Sequence, residues 1–479
     1  MSNSVYVTTT IPYVNAPPHI GFALELVQAD AIARYHRLVG LTTRLQTGTD
    51  ENALKNVLSA RAAGVPVETF VADNAARFRA LCDALDVTPD RFVRTTDASH
   101  RHAVEHFLTQ LRAGDVYRAA YRGLYCAGCE DFYLPRDLDG GLCPDHRTPP
   151  IEVEESNHFF RLSAYQSHLR ELIASRRLRI WPKAREEEVC RFIDSGLADI
   201  SISRDAARAE EWGIPFPGDA GQVVYVWIDA LINYLTGLGY PDRDLVEPYW
   251  EQGRTIHVIG KNVWKFHAVY WPALLLSAGL PVPKEIVVHG FLTSEGEKIS
   301  KSRGNAADPR EYVERCGADA VRYFLLRHVR PFDDTDFSVA RLEAAYDADL
   351  ANGLGNLASR LTTLCESSGV PGHSPTGTPG APLGFHEALA GFRFDHALGA
   401  LWNEIAALNR EIGDARPWED VAAGRLDTAR DKLAGWVERL HATAHWLTAF
   451  LPSTGAAIRE ALSQSPIRKC QPLFPRRRR

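Results

Sequence analysis

The chain has 479 residues, enough for two or three domains that each enclose a full-sized core. Hydrophobic residues make up 45% and charged residues 24%, a balance that excludes a disordered or fibrous chain. The formal net charge of −6 excludes a polycation, so any nucleic acid must be met through a local patch.

In chain order, Ser4–Ile11 is β-branched and reads as a buried strand. Pro12–Pro18 leads into Pro18-His19-Ile20-Gly21, a tight turn opening an amphipathic helix over Gly21–Tyr35. The bare N–H groups of such a helix start carry partial positive charge and suit a phosphate. Thr43–Thr49 reads as a second strand, ending at Gly48-Thr49-Asp50. Strand and helix alternate to about Ala113, the pattern of a parallel α/β sheet. Short irregular elements and a Cys-rich knuckle interrupt it over Tyr117–Gly221. Strands resume at Val223–Val226, His257–Ile259 and Ile286–His289. A doubly wound, Rossmann-like sheet split by an insertion is predicted, with ligands at the carboxyl ends of its strands. Lys298-Ile299-Ser300-Lys301-Ser302 then places two ammonium groups and two hydroxyls in one short loop, a grip for polyphosphate. Beyond about Ala340 the strand signals vanish. Leu342–Ser367, Leu389–Arg410 and Leu426–Leu451 read as long helices of an all-α bundle, with Ser367–Gly384 as a loop. Arg476–Arg479 reads as a solvated basic tail.

No stretch approaches the roughly 20 apolar residues that span a bilayer, and no signal peptide is visible, so no membrane partner is expected. Ala273–Leu280 reads only as a short buried segment. Eight cysteines in so long a chain suggest no disulfide scaffold, and a reducing cytoplasm fits them. Cys126-Ala-Gly-Cys129 is followed by Cys143-Pro-Asp-His146, three thiolates and one imidazole at knuckle spacing. Four protein ligands leave no open position, so the expected Zn2+ is structural. His102-Ala-Val-Glu105-His106 matches an inverted zinc-protease order, but it lies on a strongly polar helix with no third ligand evident. It reads as a solvated face.

The Pro18–Gly21 turn and the Lys298–Ser302 loop, in this order, resemble the paired signatures of class I aminoacyl-tRNA synthetases. Ile11-Pro-Tyr-Val-Asn15, Tyr225-Val-Trp-Ile-Asp-Ala230 and Gly260-Lys261 narrow the resemblance to the methionyl-tRNA synthetases, of the bacterial type with one zinc knuckle, through about Leu462. The resemblance implies ATP-dependent attachment of L-methionine to tRNA(Met) through methionyl adenylate, by a cytoplasmic enzyme that we read as a monomer. It implies that Ile11, Tyr13, Asp50, Trp227, Ala230, Tyr234, His267 and Trp271 line the methionine pocket. Aromatic rings suit a thioether, and Asp50 suits the amino group. It implies that His19, Gly21, Lys298, Ser300 and Lys301 are catalytic. His19, Lys298, Lys301, Gly260 and Lys261 would bind ATP with Mg2+, by positioning and electrostatics rather than covalent chemistry. It implies that Asn356, Arg360 and Trp418 read the anticodon, as a stacking ring and two polar side chains suit single-stranded RNA. The implied domains are the catalytic halves 1–116 and 222–290, the insertion 117–221, the lysine-serine loop and stem-contact region 291–340, the anticodon-binding bundle 341–465 and the tail 466–479.

The chain departs from that pattern at three places. Phe22 stands for the second signature histidine, Asn52-Ala53 for His-Gly, and Asn262 for an acid. One lost charge-assisted bond in a transition state costs on the order of 2–4 kcal/mol. A divergent or second-copy enzyme is therefore expected, the alternative being an impaired paralogue that regulates by binding tRNA. Met1 is the only methionine, and Ile299 fills its usual place in the lysine-serine loop.

Overall fold

The computed structural model describes residues 3–126, 131–133, 135, 138–144, 147–294, 297–298, 308–375 and 377–475. They form two compact units, one of residues 1–18, 44–80 and 89–288, the other of residues 19–43, 81–88 and 289–479.

The first unit is organised by a six-stranded sheet in the order Arg91–Arg94, Thr42–Thr49, Ser4–Thr9, Arg254–Gly260, Glu285–His289, Arg179–Trp181. Ser4–Thr9 runs parallel to Arg254–Gly260, with Val5 opposite Arg254 and Thr9 opposite Val258. Val5, Tyr6, Val7, Thr8 and Thr9 are all buried, the signature of a central strand covered on both faces. The two edge strands escape a reading of the sequence because they are short and begin or end in arginine. Val223–Val226 does not join this sheet, correcting the expectation. Asp219–Val224 pairs antiparallel with Ser203–Asp205, and Val226 already begins the helix Val226–Thr236. A short apolar run does not by itself say which sheet takes it.

The segment expected to be irregular contains a long antiparallel pair, Val116–Cys126 with Ile151–Phe160. Glu155 and Asn157 occupy inward positions of the second strand, bonded to each other (Nδ2 to Oε2, 2.9 Å). Buried polar residues therefore blurred its alternation.

In the second unit the helix after the signature turn runs Ile20–Leu38 and is not amphipathic, against expectation. Fourteen of its nineteen residues are buried. Ala23, Ala29, Ala31 and Ala33 let neighbours approach, while the inward acids Glu25 and Asp30 are paired with His289 and Arg322. The bundle matches its expected helices closely. In Phe394–Ala415 the buried Phe394, Ala397, Leu398, Leu401, Ile405, Leu408 and Ile412 recur at three- and four-residue steps. Phe385–Ala390 stands apart from it, broken at Gly391. The first expected helix is continuous over Val339–Ser368 but widens to π-helical turns at Tyr346–Gly355. The third stops at Leu447, before Pro452 opens the last helix, Pro452–Ser463. Among the described residues no helix is long and apolar enough to cross a membrane.

His441, on Leu426–Leu447, is held neutral. Burial, then the charges of Arg459, His373 and His445, push its pKa down to about 4. The unfolded chain takes up this proton near pH 6.5, the folded chain near 4. Stability is therefore full above pH 6.5 and falls as pH drops towards 4, by roughly 3 kcal/mol at most. Urea midpoints between pH 7 and 4 should show this slope. His441→Leu should flatten it, and an unchanged slope in that variant would contradict the assignment.

Candidate active site

Residues expected to line the pocket cluster at the carboxyl ends of adjacent strands in the first unit. Tyr13 follows Ser4–Thr9, and Asp50 closes Thr42–Thr49. The two are joined by a parallel bridge in which the Asp50 N–H donates to Pro12 O (2.9 Å). Gly48 has no room for a side chain, since a Cβ there would lie 2.1 Å from Val93 O and 3.1 Å from Ile11 Cγ2. The ring of Tyr13 meets Trp227 edge-on (5.8 Å), and Trp227 stacks on Phe266 (4.0 Å). Lys55 Nζ sits 3.9 Å from the Tyr13 ring centre, a cation–π contact.

Deeper in, His267 Nδ1–H donates to Val263 O (2.9 Å), so in the neutral ring Nε2 accepts from the Tyr234 hydroxyl (2.7 Å). His267 lies on π-helical turns, Phe266–Tyr270, which run into the buried helix Trp271–Ser277. Trp271 is fully buried and packs on Tyr234, Phe107 and Trp250, so it stands in the core wall. His257 is fully buried beside Tyr234 and bonded to Thr8 Oγ1 (2.7 Å). Burial, then the facing His267, keeps it uncharged far below the ordinary range. Ala230 is buried on Val226–Thr236, and Gly260-Lys261 ends Arg254–Gly260, with Asn262 exposed beyond.

In the second unit His19 is the N-cap of Ile20–Leu38. Its Nδ1 accepts the Gly21 N–H (3.0 Å), which leaves Nε2 as the N–H donor of the neutral ring. A Cβ on Gly21 would fall 2.9 Å from the His19 ring, so glycine is required there. Phe22 is buried, 7% exposed. Glu25 Oε2 meets His289 Nε2 at 2.8 Å, and His289 also donates to Gly290 O (2.7 Å). Lys298 follows in a two-residue strand paired with Leu292–Ser294. Ser300 and Lys301 lie outside the described residues.

Of the knuckle, Cys129 and His146 also lie outside the described residues. Cys126 and Cys143 are both buried, the latter after a turn with Gly140 and Gly141 at φ +60 and +83. Among the described residues no group of three or more candidate ligands is assembled. The His102/Glu105/His106 segment lies on helix Ala98–Thr109, with His106 bonded to the Tyr240 hydroxyl (3.0 Å) and His102 exposed. In the bundle Asn356 is exposed at the head of its helix. Arg360 donates to Asn409 O and Oδ1 (3.0 Å each), and burial holds its guanidinium below the usual range. Trp418 is 40% exposed on Pro417–Ala422, a helix that packs against Asn356–Ser368.

A family profile described as tRNA synthetases class I (M) matches residues 5–149 and 145–362. The chain belongs to the class I methionyl-tRNA synthetases. It is 37% identical to the methionine–tRNA ligase of Thermotoga maritima over 474 residues, 95% of this chain and 74% of that protein. With the Brucella suis methionine–tRNA ligase the identity is 39% over 481 residues, 96% of this chain and 91% of that one. The solved Mycobacterium tuberculosis methionyl-tRNA synthetase in complex with methionyl-adenylate superposes with a TM-score of 0.88. The identity there is 38%, over 98% of this chain and 96% of that one.

For this synthetase-family chain the sequence reading missed the polar frame of the pocket. Glu51, fully buried at its side chain, takes a bidentate pair of bonds from Arg94 (2.8 Å each) and one from Thr49 Oγ1 (2.8 Å). Asn52 donates to Asp229 Oδ2 (3.0 Å) and Thr95 O (3.2 Å). Acids next to Asp50 and inside the Trp227 motif were the available signal. Tyr234→Phe should leave the buried His267 Nε2 without its donor and cost about 1–3 kcal/mol of stability in urea unfolding. A midpoint equal to that of the unaltered chain would show that the pair is not formed.

Proposed function

We propose that the chain is a methionine–tRNA ligase. It joins L-methionine to ATP as methionyl adenylate, releases pyrophosphate, and transfers the methionyl group to the 3′-terminal ribose of tRNA(Met). The observation that supports this most is the aromatic cluster beside a buried carboxylate: Tyr13 is bridged to Asp50 and lies edge-on to Trp227, whose helix also carries Tyr234. Asp50 takes the substrate ammonium, and the rings with Ile11 and Ala230 receive the thioether, which favours polarizable apolar surroundings. His267 fixes the Tyr234 hydroxyl, and Trp271 backs it.

At the α-phosphate the reaction needs positive charge as the phosphorus becomes five-coordinate. His19 through Nε2–H, the positive N-terminal end of the Ile20–Leu38 helix, Lys298, Ser300 and Lys301 supply it, with Gly260 and Lys261 holding the nucleotide. Mg2+ accompanies ATP as part of the substrate. Asn356, Arg360 and Trp418 address the anticodon from the 341–465 bundle. The chain works as a cytoplasmic monomer with tRNA(Met) as its macromolecular partner.

Cys126, Cys129, Cys143 and His146 hold a structural Zn2+. The two described thiols fit the ion, being buried in a small excursion with little core of its own. When bound, zinc would crosslink the two halves of the knuckle through these four side chains. One zinc per chain should copurify. Chelation should make the 126–146 loop sensitive to protease while the bundle persists, and metal-free protein with an equally resistant loop would exclude the site.

A second reading, a tRNA-binding paralogue with impaired chemistry, rests on Phe22, which brings no donor to the signature turn. Methionine-dependent ATP–pyrophosphate exchange decides between them. Exchange with methionine, and none with leucine or isoleucine, is expected. Phe22→His should raise the rate at least tenfold by restoring one phosphate contact. Absent exchange together with retained tRNA(Met) binding would establish the second reading.

A further inference from the structure

Asp229 is fully buried, one residue before Ala230 and two after Trp227. Its two oxygens have different neighbours. Oδ2 accepts from Asn52 Nδ2 (3.0 Å), and Oδ1 lies 3.5 Å from Nε2 of His100, itself fully buried. The other end of the imidazole is decided by Thr236. Thr236 Oγ1–H donates to Ile232 O (3.2 Å), so the same oxygen accepts from His100 Nδ1–H (2.9 Å). A neutral ring would then turn a bare Nε2 lone pair towards a carboxylate oxygen. One proton must therefore sit between the two, on Nε2 or on Oδ1. Burial pushes the Asp229 carboxyl above its ordinary range, in keeping with a shared proton.

Each contact joins a different piece of the pocket. Asn52 is two residues from Asp50, on the loop that follows the second strand, and also holds Thr95 O (3.2 Å). Asp229 lies in the first turns of Val226–Thr236, between Trp227 and Ala230. Thr236 closes the same helix, two residues after Tyr234, and His100 anchors it to Ala98–Thr109. The three polar side chains thus span the helix that carries Trp227, Ala230 and Tyr234 and tie it to the carboxylate at position 50.

Resting on the function proposed above, we infer that Asn52, Asp229 and His100 are positioning residues for methionine. They set the distance between the Asp50 carboxylate and the aromatic slot without touching substrate. Such a set acts on the amino-acid side of the reaction only. Its loss loosens the fit of methionine and leaves the nucleotide half alone.

The test reads the two substrates separately in ATP–pyrophosphate exchange, with methionine binding followed in parallel by calorimetry without turnover. Asn52→Ala should raise the KM for methionine, and its Kd, about tenfold, the worth of one buried hydrogen bond. The KM for ATP and kcat should stay within about twofold. Asn52→Asp, which sets a second carboxylate against Asp229, should do more harm than Asn52→Ala. Asp229→Ala should behave like Asn52→Ala. Asp229→Asn should recover most of that loss, because its amide both accepts from Asn52 and donates to the bare His100 Nε2. A flat methionine KM and Kd in Asn52→Ala, losses shared equally with ATP, or an Asp229→Asn as poor as Asp229→Ala would each overturn the inference. The unaltered chain separates the two ideas. If it exchanges with methionine while the variants match it, the positioning set alone fails. If it neither exchanges with nor binds methionine, both readings fall.

Discussion

A guanidinium with no access to water organises the second unit. Arg322 is fully buried, and its fork reaches Asp30 Oδ2 (2.6 Å), Phe450 O (2.7 Å) and Leu85 O (3.1 Å). Arg34 adds a bond to the same Asp30 oxygen (2.7 Å) and one to Asp86 O (2.6 Å). A buried ion pair contributes little net stability, because desolvation offsets most of the attraction. Losing one partner is different, since a lone charge is stranded in the core. What the pair supplies is register. Only a planar five-donor group satisfies a carboxylate and two carbonyls at once, so Ile20–Leu38 has one seat against Ala318–Arg327 and the end of Leu426–Leu447. The His19 cap and its row of amides inherit that fixed position.

The first unit solves a related problem with neutral and shared-proton groups. Its candidate site residues lie where strands end, and the neighbouring strands Ser4–Thr9 and Arg254–Gly260 leave in different directions, the usual crevice position of an open parallel sheet. Polar pairs sit within or against the apolar core there: Glu51 with Arg94, His267 with Tyr234, and the polar set around Asp229.

How much of this the sequence shows depends on the kind of force involved. Helices stabilised by apolar spacing, such as Phe394–Ala415, are legible because the period is written in the residues. The signature turn is legible too, since Gly21 is demanded by the His19 ring. The helix behind it is not legible, because Glu25 and Asp30 look like a solvated face until their partners His289 and Arg322, some 260 or more residues later, are known. Strands failed for similar reasons: Arg91–Arg94 is too short to alternate, and Ile151–Phe160 turns Glu155 and Asn157 inward. Long-range polar pairing leaves no local periodicity to read.

The three departures from the family pattern also separate on physical grounds once they are placed. Asn262 is exposed past the end of its strand, where a neutral residue meets water at small cost. Asn52 is engaged, with both of its donated bonds accounted for by Asp229 and Thr95, so the amide does structural duty there. Phe22 is buried and apolar, and its ring fills core beside the cap rather than offering a donor. In the reaction proposed for this chain, repacking cannot replace a donor at position 22, because a transition state gains nothing from a well-packed ring. Compensation in that proposal has to come from charge elsewhere around the phosphates, which places more of the burden on His19 and the lysines of the late loop.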